Sequence, residues 1–119
     1  MIRRTLLLPT LLVPVACHAG LPKGLPCSSW PINSGEVKLQ NAGIVKMSEL
    51  DHRKTKAVPV AIEKIGDDLY RQVYDITWYS KSGQQFRTIT INDASSQECS
   101  ITGVTMYVVS RKIGADERP

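Results

Sequence analysis

Few residues in this chain have the type and spacing that chemistry requires. Beyond residue 19 there is one histidine, His52, set in the run Glu49-Leu50-Asp51-His52-Arg53. A carboxylate beside an imidazole can orient it as a general base, and serines are plentiful as candidate nucleophiles. Neighbours along a chain do not make a triad, however, and this is the most polar window of the sequence. His52 is therefore expected on an exposed loop. Asp67-Asp68 and Asp75 offer carboxylates for an acid–base pair of the glycosidase type, which needs two of them facing each other across a cleft. Asp67-Asp68 follows Gly66 and has the composition of a turn.

Metal and cofactor chemistry lacks material. The three cysteines, Cys17, Cys27 and Cys99, are spaced nothing like a zinc site, which takes three or four His, Cys or carboxylate ligands. The sequence contains no GxGxxG, GxxxxGK, HExxH or GxSxG motif. The expectation is no cofactor, no metal and no catalytic residue.

Surface contact is the remaining resource. Arg53, Lys54 and Lys56 form the one basic cluster. It suits an anionic surface or an acidic partner, but it has no interleaved aromatics to stack bases, so nucleic acid is not an expected ligand. Tyr79 and Tyr107 lie off the presumed core faces of their strands, where aromatics either serve as interface anchors or are covered by a second layer, since a small sheet often buries part of both faces.

The first residues indicate where such a protein works. Arg3 and Arg4 precede an apolar stretch of 11 residues, 5–15, and Cys17-His18-Ala19 then brings small residues to a cleavage position. That order is the grammar of an export signal covering residues 1–19. The stretch is too short to span a bilayer, and Pro9 and Pro14 argue against a buried helix. Ala16-Cys17 also permits a lipoprotein signal with Cys17 lipidated, although Pro14 fits that poorly. Removal of 19 residues leaves 100, with 13 basic against 11 acidic residues. Only Cys27 and Cys99 then remain. An even pair in an oxidising compartment reads as one disulfide, and closing a loop of about 73 residues stabilises by roughly 4 kcal/mol in the chain-entropy model.

Composition is that of an ordinary globular chain: 42% hydrophobic and 22% charged, which excludes both a disordered chain and a polytopic membrane protein. Residues 20–35 carry three prolines and three glycines and read as an extended arm, with Trp30 plugging into the body. Residues 36–40 alternate as a short strand, and 44–47 suggest another. Residues 48–56 read as a solvated loop or single turn, with Ser48 as a cap. Residues 58–65 are open between strand and helix, with strand favoured. Residues 69–80 form a strand placing Tyr74, Ile76 and Trp78 on its buried face, and Ser82-Gly83 marks a hairpin to a partner strand at 85–92. Ser95 and Glu98 match a capping box, residues 101–111 read as the last strand, and 114–119 as a tail.

These elements predict a mainly β to α+β fold. One small domain, residues 36–113, is built on a C-terminal three-stranded antiparallel meander and covered by shorter N-terminal strands or one short helix. The functional expectation is a small exported bacterial envelope protein, periplasmic or secreted. It would bind another envelope protein without catalysis, in an accessory, inhibitor or immunity-type role, and meet the membrane only if lipidated at Cys17. The alternatives are a small envelope hydrolase using His52 or a carboxylate, and a lipid-anchored structural component.

Overall fold

The computed structural model of the chain describes residues 20–109. The expected signal at 1–19, with Cys17, and the expected tail at 114–119 lie outside them.

The fold is α+β. A helix, α1 (Ser29–Asn41), precedes four strands, β1 (Lys56–Gly66), β2 (Leu69–Tyr79), β3 (Gln85–Ala94) and β4 (Thr105–Val108). The strands make one antiparallel meander in the order β1-β2-β3-β4. Local chemistry sets its turns. Asp67-Asp68 forms the two-residue link between β1 and β2, with Asp68 left-handed (φ 44°) as aspartate tolerates. The Asp68 carboxylate accepts bonds from the Ser96 N–H at 3.0 Å and the Ser96 hydroxyl at 2.7 Å. Those two bonds hold its pKa below the ordinary aspartate value. Gly83, with φ 91°, closes the β2–β3 turn and donates its N–H to the Ser80 carbonyl at 3.0 Å.

β2 alternates as its sequence predicts, burying Tyr74, Ile76 and Trp78. Its register with β3 pairs Trp78 with Phe86, Ile76 with Thr88 and Tyr74 with Thr90. Thr88, Thr90 and Asn92 therefore turn inward and Ile89 and Ile91 outward. The buried Trp78 Nε1–H donates to Thr88 Oγ1 at 2.8 Å, so the inward threonine satisfies the one polar atom of the largest core side chain.

α1 covers this face. Its buried positions, Pro31, Gly35 and Leu39, recur at helical spacing. Gly35 is the point of closest approach: a Cβ there would lie 2.7 Å from Trp78 Cζ2. Leu39, Val45, Leu50, Tyr74, Ile76 and Trp78 form the core, flanked by Ile32, Ala57, Phe86 and Met106.

Cys27 and Cys99 are joined as a disulfide. It ties the segment before α1 to the loop after β3, and the buried Gln72 fixes both ends. Gln72 Oε1 accepts from the Cys27 N–H at 2.8 Å, and its Nε2 donates to the carbonyls of Cys27 at 3.2 Å and Cys99 at 3.4 Å. Asn92 Nδ2 donates to the Cys99 carbonyl at 2.9 Å.

Several expectations are corrected. α1 occupies the last residues of the expected arm at 20–35 and all of the expected strand at 36–40. Pro31 is compatible because it is the third helical residue, where its missing N–H has no intrahelical acceptor to lose. The packed body thus begins before residue 36, with Leu25 and Pro31 already buried. Trp30 is 52% exposed, and Leu39 fills the core in its place. Residues 44–47 form no strand. The loop that follows contains two 3-10 turns, Met47–Glu49 and His52–Lys54, neither with a side-chain cap. Residues 58–65 lie in a strand, β1, which joins the sheet edge instead of covering it. Pro59 sits at its register shift, where a ladder donor is dispensable. β4 begins at Thr105 and not at 101, because Asp93 bonds the loop first: its N–H donates to Thr102 Oγ1 at 3.0 Å and its carbonyl accepts from the Ile101 N–H at 2.7 Å. Ser95 Oγ accepts from the Glu98 N–H at 3.0 Å, which is the capping bond without a helix behind it.

Candidate functional site

The face of the sheet opposite α1 is covered by no described helix or strand. Register places its side chains in rows. Glu63, Arg71 and Asp93 cross one end, followed by Ala61, Val73, Ile91 and Thr105, and then by Val58, Asp75, Ile89 and Tyr107. Lys56, Thr77 and Arg87 cross the other end, with Tyr79 and Gln85 beyond them.

The middle of this face is apolar. Tyr107 is 55% exposed and Val58 46%, while Val73, Ile89 and Ile91 are half-buried by their neighbours in the sheet. Ion pairs cross it. Arg87 Nε donates to both carboxylate oxygens of Asp75, at 2.9 and 3.0 Å, and Arg87 Nη2 also bonds Asp75. Arg71 Nε donates to Asp93 Oδ1 at 3.0 Å. The Arg87 guanidinium holds the Asp75 carboxyl below the usual carboxylate range, and each arginine is raised by its acid.

The face gathers three of the residues singled out from sequence: Lys56, Tyr79 and Tyr107. Arg53 and Lys54 stand exposed on the 3-10 turn just before β1. The apolar residues between them, Val58, Val73, Ile89 and Ile91, escaped sequence reasoning. Their signal was present in the alternation of β3, which read alone points Ile89 and Ile91 inward; only the register with β2 turns them out.

The catalytic candidates come apart. His52 Nδ1 lies 2.6 Å from Glu36 Oε1 on α1. A carboxylate can only accept, so Nδ1 carries the proton, and the pair fastens the loop to the helix. Asp75 faces a guanidinium and not a second carboxylate, and Asp68 is bound to Ser96. Among the described residues no group of three or more His, Cys, Asp or Glu side chains is placed to hold a metal ion, and no helix is long and apolar enough to cross a membrane.

A second apolar feature lies on the outer side of α1, a shallow depression lined by Trp30, Asn33, Ser34, Val37, Lys38 and Asn41. No protein-family model, curated protein or solved structure matches the chain.

Proposed function

We propose that this is a small exported binding protein of the bacterial cell envelope, without catalytic activity, and that the open face of its sheet is the surface that holds another protein chain. The observation that carries the reading is the uncovered row of Val58, Asp75, Ile89 and Tyr107 beside Val73 and Ile91, its one acid tied to Arg87, on a sheet whose other face packs its central side chains against α1. A contiguous apolar patch rimmed by charge marks an interaction site. The Cys27–Cys99 disulfide supports the export half of the reading, since such bonds persist in oxidising compartments. An accessory, inhibitor or immunity-type role follows from binding without chemistry.

The test is site-specific photo-crosslinking in the envelope of a bacterial host, with the photoreactive residue at position 107 and, for comparison, at position 30 on α1. The intact mass of the purified protein, with and without reductant, reports processing and the disulfide. The expected result is a processed, oxidised chain with a crosslinked product at 107. A full-length chain with reactive thiols, or no product at 107, overturns it.

A further inference from the structure

We infer that the occupant of the open sheet face is the same face of a second copy of this chain, stacked with its strands antiparallel. The inference rests on reading that face as a protein-binding surface, and it names the partner. Three observations carry it.

The first is what the face asks of a partner. Its interior charges are matched internally, Arg71 with Asp93 and Arg87 with Asp75. A covering surface there needs apolar area and no net charge, which another copy of the same face supplies.

The second is the distribution of charge between the ends. One end carries Glu63 and Asp93 about Arg71, and the other carries Lys56 and Arg87. A two-fold axis lying in the interface and crossing the strands lays β1 over β1 and exchanges the ends. Glu63 then faces Lys56 of the second copy, Asp93 faces its Arg87, and Ile91 meets its Ile89. A two-fold axis along the strands instead swaps β1 with β4 and β2 with β3; it lays Arg71 over Asp93 of the second copy but leaves Glu63 and Lys56 over uncharged residues, two matched contacts against four. The observed distribution selects the antiparallel stack, and such a contact is self-complementary, as an isologous interface must be.

The third is size. Four strands about 4.8 Å apart, with a rise of about 3.3 Å per residue, give a face of about 600 Å². Two of them bury about 1,200 Å², the lower end of what a specific protein interface uses. That area suits a reversible dimer, and aligned stacking about 10 Å apart is the ordinary way two sheets share a core.

The experiment is sedimentation equilibrium of the full chain purified from the host envelope, over concentrations from about 1 to about 500 µM. The expected result is a monomer–dimer equilibrium. Lys56→Glu and Tyr107→Glu each raise the dissociation constant at least about tenfold. The double variant Lys56→Glu/Glu63→Lys restores it, and Trp30→Ala on the opposite surface leaves it unchanged. Circular dichroism and the oxidised mass confirm that each variant is folded. A dimer indifferent to the open-face variants overturns the inference, and so does a dimer that the charge exchange fails to rescue. A monomer throughout also overturns it; a crosslink from position 107 to a different envelope protein then leaves the binding reading standing, whereas no crosslink at all removes both.

Discussion

The side-chain amide of Gln72 pairs with the backbone of Cys27 as one strand pairs with another, accepting from its N–H at 2.8 Å and donating to its carbonyl at 3.2 Å. One fully buried carboxamide thereby replaces the ladder that the segment before α1 lacks, and its bond to the Cys99 carbonyl places both halves of the disulfide around it. Gln72→Ala leaves the Cys27 N–H without this acceptor and opens a cavity, at a cost of about 2–3 kcal/mol. Urea unfolding of the oxidised protein measures this. Replacing both cysteines by serine costs about 2–4 kcal/mol. Because the two features restrain the same segment, the Gln72→Ala loss is expected to be smaller in the serine background. Strict additivity would show that the carboxamide and the disulfide act separately.

The seat of the helix on the sheet depends on the missing side chain at Gly35. Alanine there favours the helix by about 1 kcal/mol. Its Cβ, however, would stand 2.7 and 2.8 Å from Trp78 Cζ2 and Cη2. Trp78 is fully buried and held through Nε1 by Thr88, so it has nowhere to swing. Overpacking of this kind costs about 1–3 kcal/mol or more and outweighs the propensity gain. Gly35→Ala is expected to lower the Tm by several degrees, while Gly43→Ala, with φ 71° but open space about it, incurs only backbone strain and no clash. Equal thermal stability of Gly35→Ala and wild type would refute the close contact.

The exposed ion pairs contribute little to holding the fold. Asp75 and Arg87 lie on the open face, with the arginine side chain 56% exposed, so Asp75→Asn is expected to cost less than about 1 kcal/mol. The sign with pH follows from the depressed Asp75 pKa: the contribution is present above the ordinary aspartate value and fades as pH falls through the lower folded value. Comparing urea midpoints of wild type and Asp75→Asn at neutral and acid pH checks this, and the difference should shrink in acid.

How far the sequence carried these conclusions depends on what each residue's neighbours decide. The strand containing Tyr74, Ile76 and Trp78 was legible because three large apolar residues at period two admit one orientation. The disulfide was legible from the cysteine count left by the expected export signal. α1 was not, because Pro31 and Gly35 argue locally against a helix and only the first-turn position of Pro31 and the proximity of Trp78 to Gly35 reverse that argument. The parity of β3 was hidden for a related reason: its Thr-Ile alternation favours isoleucine inward, and the tight turn at Gly83, together with the stronger pattern on β2, overrides it. Lys56, Tyr79 and Tyr107 were legible as lying off the core faces, but their meeting on one face is a product of register alone.

That override leaves a cost inside the core, which Thr90 exposes. Thr90 is fully buried opposite Tyr74, and its Oγ1 has no hydrogen-bond partner. A buried hydroxyl without a partner is unfavourable by about 1–3 kcal/mol. Thr90→Val keeps the branched shape and removes the polar atom, so it is expected to stabilise the fold by about 1 kcal/mol. Thr88→Val is the matched control: it removes the acceptor of the Trp78 indole N–H and is expected to destabilise by a similar amount. Opposite signs at two threonines two residues apart would show that hydrogen bonding, and not the polarity of the strand, decides.

Tyr74 predicts how the core fails in alkali. It is 2% exposed, and burial pushes its phenol from 10.0 up to about 12, because the desolvated phenolate is the disfavoured form. Between those values the unfolded chain loses the Tyr74 proton while the folded chain keeps it. The folded state binds more protons there, so stability falls as pH rises, by about 1.4 kcal/mol per pH unit for this one group. Below pH 10 the contribution is fully present and independent of pH. Tyr74→Phe removes the titration and is expected to flatten the alkaline limb of the stability curve between pH 10 and 12 relative to wild type, after the small loss from its 3.4 Å bond to Gln72 Oε1 is subtracted at neutral pH. Urea midpoints of the two proteins across that window measure it, and parallel curves would mean that the Tyr74 phenol ionises equally readily in the folded and unfolded chains.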